Sequence, residues 1–307
     1  MFEKILIANR GEIAVRIIRA CRNMGIQSVA VYSKEDQNSL HTQLADQRIC
    51  IGEGPAKNNY LNMDQLITAA INTGADAIHP GYGFLSENSE FVRRCKENGI
   101  AFIGPDADVI DRMGNKSHAR KTMMDAGVPV VPGTREPVYD AETGKKLARE
   151  IGYPVIIKAS SGGGGKGMRV ATSEDEFEFE FGLAQRESAN AFGDDTMYIE
   201  RYIEKPRHVE IQIMADSFGN VVALGDRDCS VQRNHQKLIE ESPSPAITDE
   251  TRAEMNRCAI LAAKTVQYTN AGTIEFIVDP QGHFYFMEMN TRIQVEHGVT
   301  EMVTGTD

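Results

Sequence analysis

Glu275, Glu288 and Asn290 are the residues whose types and spacing point most directly to chemistry. They lie in what reads as an apolar hairpin: Thr273 to Val278, a turn at Asp279-Pro280-Gln281-Gly282, then an arm from Phe284 to Glu296. On the two-residue period of a strand, the second arm puts Met287, Met289, Thr291, Ile293 and Val295 on one side. Glu288, Asn290, Arg292, Gln294 and Glu296 fall on the other. A turn at Pro280 to Gly282 then brings Glu275 beside Glu288, so that two carboxylates and an amide oxygen converge. Like charges held together repel unless a cation sits between them. Oxygen donors without Cys or His suit magnesium or manganese, whose other positions are commonly filled by nucleotide phosphates. The hairpin therefore predicts a nucleotide. The same alternation also describes the solvated face of an antiparallel sheet, and the hairpin alone leaves both readings open.

A phosphate-binding element is readable independently. Tyr153 to Lys158 and Met168 to Ala171 are strand-like runs flanking Gly162-Gly163-Gly164-Gly165-Lys166-Gly167. A P-loop would end in Gly-Lys-Ser/Thr and open a helix, which this run does not do. A glycine hairpin can instead lay its backbone N–H groups on phosphates, because no side chain blocks the approach. Lys158, at the strand end, is placed to act as a point charge on phosphate oxygens. The competing reading is a plain surface hairpin, but four consecutive glycines cost backbone entropy that favours the phosphate role. Further on, Met197 to Ile203 alternates as a strand, and the backbone of Glu200, Arg201, Tyr202 and Ile203 is suited to an adenine edge. His208 alternates on the next strand, where a lone histidine is more often structural. The polar run Asp226 to Lys237 has neither period and reads as an irregular functional loop.

The rest of the chain must position these groups. Its 307 residues suit two or three domains, and 41% hydrophobic content suits globular packing. With 33 Lys+Arg against 44 Asp+Glu, nucleic acid and anionic membrane are not the expected partners. Five scattered cysteines (Cys21, Cys50, Cys95, Cys229, Cys258) form no Cys-x-x-Cys and read as small core residues in a reducing, cytoplasmic setting. No membrane span or leader is expected. Lys4 to Ala8, the helical spacing of Ile13 to Met24 and Ser28 to Tyr32 form a strand-helix-strand unit, repeated more loosely to Phe102, which predicts three or four parallel strands. One glycine in the first loop, where Gly-x-Gly-x-x-Gly needs three, argues against NAD or FAD. The loop around Tyr82 follows a strand's carboxyl end, where open sheets bind ligands, but a plain turn is the simpler reading. Asp106 to Ala126 predicts one or two helices containing Lys116, and Val128 to Gly133 a linker.

Six stretches together resemble the biotin carboxylases, ATP-grasp enzymes: IANRGEIAVRIIRA (7–20), HPGYGFLSEN (79–88), YPVIIKASSGGGGKGMRV (153–170), RHVEIQI (207–213), RDCSVQRNHQKLIEE (227–241) and FMEMNTRIQVEH (286–297). The resemblance implies α/β and α+β architecture. An N-terminal parallel-sheet domain (1–113) and a helical linker (114–131) would precede an ATP-grasp fold, made of a glycine-lid subdomain (132–203) and an antiparallel-sheet subdomain (204–307). A further C-terminal domain, with the arginine that orients biotin and much of a homodimer surface, would lie beyond Asp307. It implies ATP, Mg²⁺ or Mn²⁺, and biotin on a carrier protein or domain, with carboxyltransferase subunits as partners. Lys116 and Lys158 would contact ATP phosphates, Gly164, Gly165 and Met168 would line the lid, and Glu200, Arg201, Tyr202 and Ile203 would hold adenine. His208, Gln232 and His235 would lie at the ribose, and Glu275, Glu288 and Asn290 would bind the metal. Lys237, Arg292, Gln294 and Val295 would surround bicarbonate, with Tyr82 on the biotin side and Glu296 as the base. Bicarbonate, activated as carboxyphosphate, would release CO₂ to biotin, while a carbamoyl-phosphate-synthase-like reaction and a binding module without turnover remain the alternatives. Two positions depart from the family pattern: Gly298 stands where proline is usual, which predicts a looser segment after Glu296, and Arg201 where lysine is usual.

Overall fold

The computed structural model describes residues 1–159, 167–234 and 236–307, so Gly164, Gly165 and His235 lie outside the described residues. The N-terminal elements are β1 (Lys4–Ile7), α1 (Gly11–Asn23), β2 (Gln27–Tyr32), α2 (Leu40–Leu44), β3 (Gln47–Cys50), α3 (Met63–Thr73), β4 (Ala77–His79), α4 (Ser89–Glu97) and β5 (Ala101–Phe102). The strands form one parallel sheet in the order β3-β2-β1-β4-β5. Strand alternation explains why it is covered on both faces. Ile5 and Ile7 pack with Ile13, Ile17 and Ile18 of α1, while Leu6 and Ala8 pack with Leu66 and Ala70 of α3 and Phe91 of α4. Five strands form where three or four were expected. Gln47-Arg48-Ile49-Cys50 has no apolar run because β3 is an edge strand, largely exposed, and Cys50 is accordingly exposed rather than a core residue. The other four cysteines are buried.

Helices α5 (Ala107–Gly114) and α6 (Lys116–Asp125) follow. They are separate because Asn115 is extended, and its side-chain oxygen accepts the His118 N–H at 3.0 Å, an N-terminal cap.

The chain divides into two compact units, residues 1–119, 209–275 and 288–307 in the first, and 120–208 with 276–287 in the second. In the second, α7 (Ala141–Ile151), β6 (Val155–Ala159), β7 (Met168–Ala171), α8 (Glu174–Phe192) and β8 (Met197–Arg201) build an antiparallel sheet, β7-β6-β8. Val155, Ile157, Met197 and Ile199 on one face bury Phe177 and Phe181 of α8. The expected linker at Val128 to Gly133 is pinned here. Gly133 bridges Glu200, and a Cβ at Gly133 would come within 2.6 Å of the Ile199 carbonyl oxygen.

The remaining elements are β9 (Arg207–Ala215), β10 (Val221–Arg233), β11 (Gln236–Glu241), α9 (Asp249–Thr265), β12 (Asn270–Val278), β13 (Phe284–Asn290) and α10 (His297–Thr304). Their strands form a sheet in the order β11-β10-β9-β12-β13. Thr248 caps α9, accepting the Thr251 N–H at 3.2 Å.

Two expectations are corrected. Asp226 to Lys237 is not an irregular loop: β10 runs through Arg233, and β11 pairs with it. Register shifts between Ala223 and Asp226 and again after Asp228 break the two-residue period, and Asp226, Arg227 and Asp228 are all buried, so no periodicity survives. The second hairpin arm ends at Asn290, not Glu296. The Thr291 N–H is taken by the Glu87 carboxylate at 3.1 Å instead of a ladder carbonyl, which lets residues 291–296 leave the sheet. Met287 and Val295, placed together on the apolar side of the arm, are 43% and 66% exposed.

Candidate active site

In the first unit, strands β9, β11 and β12 and the turn before α10 bring four charged side chains to one point. The Lys237 ammonium lies 2.5 Å from Glu210 Oε2, 2.8 Å from Glu275 Oε1 and 2.6 Å from Glu296 Oε1. Glu210 is fully buried and Glu275 nearly so. Burial alone would push the Lys237 amine down, but Glu210 and Glu275 outweigh it and hold the ammonium well above its ordinary value. Burial likewise pushes Glu296 up, yet the hydrogen bond and charge of Lys237 keep it below the usual 4.5. Glu296 is therefore an ionised carboxylate held against a cation. Three carboxylates face two cations, the half-buried Lys237 and the fully buried Arg227, so the locus carries one excess negative charge and favours further positive charge.

Of the oxygen donors expected for a metal, Glu275 on β12 and Asn290 on β13 are in contact. Glu275 Oε1 accepts from Asn290 Nδ2 at 2.8 Å and Gln294 Nε2 at 3.1 Å. Glu288, two residues before Asn290 on β13, shares its face, and its Oε2 lies 3.7 Å from the Lys116 ammonium. Two carboxylates and an amide supply oxygen donors only, although Asn290 turns its nitrogen to Glu275 and its oxygen to Arg292, and the ammonium against Glu275 shows that this carboxylate already holds a cation. The residues thus fit a hard divalent ion.

Arg292 is held at the same locus: its Nε donates to Glu87 Oε2 at 2.8 Å and its Nη2 to Asn290 Oδ1 at 3.1 Å. It lines a cleft of about 140 Å³ with His79, Pro80, Gly81 and Ile293. Tyr82, on the same loop after β4, bonds through its hydroxyl to Glu12, and its carbonyl accepts from Asn9 Nδ2 at 2.7 Å. The loops after β1 and β4 meet because these adjacent parallel strands have connections running in opposite directions, where such sheets form a crevice. Val295 does not join the cluster. Its backbone lies between Gln294 and Glu296, but its side chain is solvent-facing.

In the second unit, Lys158 pairs with Glu200 at 2.5 Å, and Arg120 lies 3.5 Å from the other Glu200 oxygen. Met168 sits opposite Lys158 in the β6–β7 register. The N–H groups of Arg201 and Tyr202 are already bonded to the carbonyls of Pro132 and Pro154. His208 lies on β9, and Gln232, on β10 in the first unit, donates to the Cys229 carbonyl at 2.8 Å.

Sequence reasoning missed Glu210, Arg227 and Glu87. Glu210 sits among Val209 and Ile211 in an alternating strand and reads as its polar face, yet that face is buried. The available signal was an arginine at the start of a polar run between apolar strands, since a buried carboxylate needs such a partner.

Gly298 is the second residue of α10, and a side chain there would meet nothing within 4 Å. The segment after Glu296 is a regular helix, His297–Thr304. First-turn N–H groups have no helical acceptor, so proline is compatible. Gly298→Pro is expected to raise unfolding free energy by roughly 0.4–1 kcal/mol by restricting the unfolded chain, as read by urea denaturation. A loss of stability would show that the backbone at this position is not compatible with proline.

The glycine-hairpin subdomain and the antiparallel sheet with its acid and amide oxygens define an ATP-grasp enzyme. Residues 115–307 match the family described as the carbamoyl-phosphate synthase L chain ATP binding domain, and residues 1–110 match the biotin carboxylase N-terminal domain. Biotin carboxylase 1 of Bacillus subtilis (strain 168) is 58% identical over 308 residues, covering 100% of this chain and 68% of the relative. A Campylobacter jejuni biotin carboxylase in complex with β,γ-ATP superposes with a TM-score of 0.90 at 52% identity, over 100% of this chain and 69% of that one. The biotin carboxylase domain dimer of Hydrogenobacter thermophilus 2-oxoglutarate carboxylase, in complex with MgADP, ADP and bicarbonate, gives 0.87 at 50% identity, over 100% and 68%. The chain belongs to the biotin carboxylase family.

Proposed function

We propose that the chain carboxylates biotin on a carrier protein, using ATP and bicarbonate through carboxyphosphate. The observation that carries this reading is the Lys237 ammonium 2.6 Å from Glu296, which joins a cation able to hold bicarbonate to a carboxylate able to deprotonate it. Glu296 takes the bicarbonate proton while Lys237 and Arg292, with Gln294 and the Val295 backbone, hold the dianion. A bicarbonate oxygen attacks the γ-phosphorus, the bond to ADP breaks, and carboxyphosphate forms. Carboxyphosphate then splits into CO₂ and phosphate, the phosphate removes the ureido N–H proton of biotin, and that nitrogen bonds to CO₂. Glu275, Glu288 and Asn290 would hold Mg²⁺ or Mn²⁺, which supplies neutralisation of phosphate charge.

We assign Lys116, Lys158, Gly164, Gly165 and Met168 to the phosphates, His208, Gln232 and His235 to the ribose, and Tyr82 to the biotin side. Residues 200–203 are assigned to adenine, with the donor falling to Ile203, because those of Arg201 and Tyr202 are already bonded. On the same reading the domains are 1–113, 114–131, 132–203 and 204–307. The partners are a biotin carboxyl carrier, carboxyltransferase subunits and a second copy of the chain, in the cytoplasm, as part of an acyl-CoA or keto-acid carboxylase such as that of fatty acid synthesis. No helix is long and apolar enough to cross a membrane among the described residues.

The match to the carbamoyl-phosphate synthase ATP binding domain keeps one other reading in view, since that reaction also activates bicarbonate. ADP release stimulated by free biotin without ammonia is expected. Stimulation by ammonia and not by biotin would favour the other reaction.

A further inference from the structure

Arg227 on β10 is fully buried. Its Nε donates to Glu210 Oε1 at 2.7 Å, its Nη1 to Gln212 Oε1 at 2.7 Å and Thr300 Oγ1 at 2.8 Å, and its Nη2 to Gln294 Oε1 at 3.0 Å and Thr273 Oγ1 at 3.4 Å. Burying a guanidinium is unfavourable unless its partners offset the lost hydration, and well-packed apolar residues often serve stability as well. What an apolar residue could not do is orient the acceptors. Gln294 shows this: its oxygen faces Arg227, so its NH₂ group is turned to Glu275, and the opposite orientation would set NH₂ against the guanidinium. Glu210 is likewise divided, one oxygen on Arg227 and the other on Lys237.

We infer that Arg227 is a positioning residue for the anion: by holding Glu210 and orienting Gln294, it limits how strongly Lys237 is drawn into its own carboxylates. This rests on the bicarbonate role of Lys237 proposed above. With Arg227 in place, Glu210 has a second cation, and the ammonium can be shared with an incoming anion. Without it, more of the buried charge of Glu210 bears on Lys237. A lysine at 227 would keep the charge but not the planar fork that reaches β9, β12, Gln294 and α10 together.

The test is bicarbonate affinity, read from ¹³C line broadening of labelled bicarbonate, with fluorescent ADP affinity and urea unfolding measured in parallel. Arg227→Met is expected to weaken bicarbonate about tenfold, the scale of one charge-assisted hydrogen bond, with ADP affinity unchanged. Glu210→Gln/Arg227→Gln is expected to recover most of that loss, because the net charge facing Lys237 is restored. A merely structural arginine would lower both affinities together, and the double variant would recover nothing. Bicarbonate affinity unchanged in folded Arg227→Met, or a double variant as weak as the single one, overturns the inference. If Arg227→Met does not fold, Arg227→Lys decides: weakened bicarbonate with intact ADP binding supports the role, and unchanged bicarbonate refutes it. An unaltered chain that binds bicarbonate but shows no bicarbonate-dependent ATP hydrolysis would refute the proposed reaction while leaving the Arg227 result standing. One that binds no bicarbonate refutes both.

Discussion

Glu296→Gln is expected to lower bicarbonate-dependent ATP hydrolysis by roughly 10²–10⁴, the range for losing a positioned general base, or about 3–5 kcal/mol of barrier. The substitution nearly preserves shape, and the amide oxygen can still accept from Lys237, 2.6 Å away in the native site. What disappears is the capacity to take a proton. One negative charge also leaves a locus that has an excess of one, so the fold should tolerate the change. The comparison is steady-state ADP release with and without bicarbonate. Turnover within tenfold of the unaltered chain would remove Glu296 from the base role, and absent turnover in the unaltered chain would favour a binding module.

Glu288→Gln should weaken metal binding and lower metal-dependent turnover by about a hundredfold, at least what loss of an outer-sphere partner costs. The fold should be spared: the Glu288 side chain is 40% exposed, and its contact is a 3.7 Å pair with Lys116, itself 81% exposed. Such pairs contribute about 0–1 kcal/mol. Mn²⁺ binding followed by electron paramagnetic resonance reads the site without turnover. Unchanged Mn²⁺ affinity together with normal hydrolysis at limiting magnesium would show that Glu288 holds no ion. Glu275→Gln is the less clean experiment, because Glu275 also anchors Lys237, Asn290 and Gln294.

Much of the scaffold follows from local pattern. The parallel unit was legible because Ile5 and Ile7, and Leu6 and Ala8, meet opposite helical layers, which makes each strand a continuous apolar run. The β6–β7 hairpin was legible because glycines separate two apolar runs. Where several effects share one stretch, the pattern failed. The bulges of β10 erased its period, and the capture of the Thr291 N–H by Glu87, 204 residues away, ended β13 early.

By itself the sequence determined the parallel sheet, the β6–β7 pairing and the family, since each depends on periodicity, spacing or motif along neighbouring residues. Only the tertiary structure decided that Lys237 is gripped by Glu210, Glu275 and Glu296, and that Arg227 stands behind them. A charge in a strand reads as solvated unless its partner is known, and here the partners come from strands and a helix 15 to 73 residues apart. Burial of a charge is a property of that assembled neighbourhood, not of the segment that carries it.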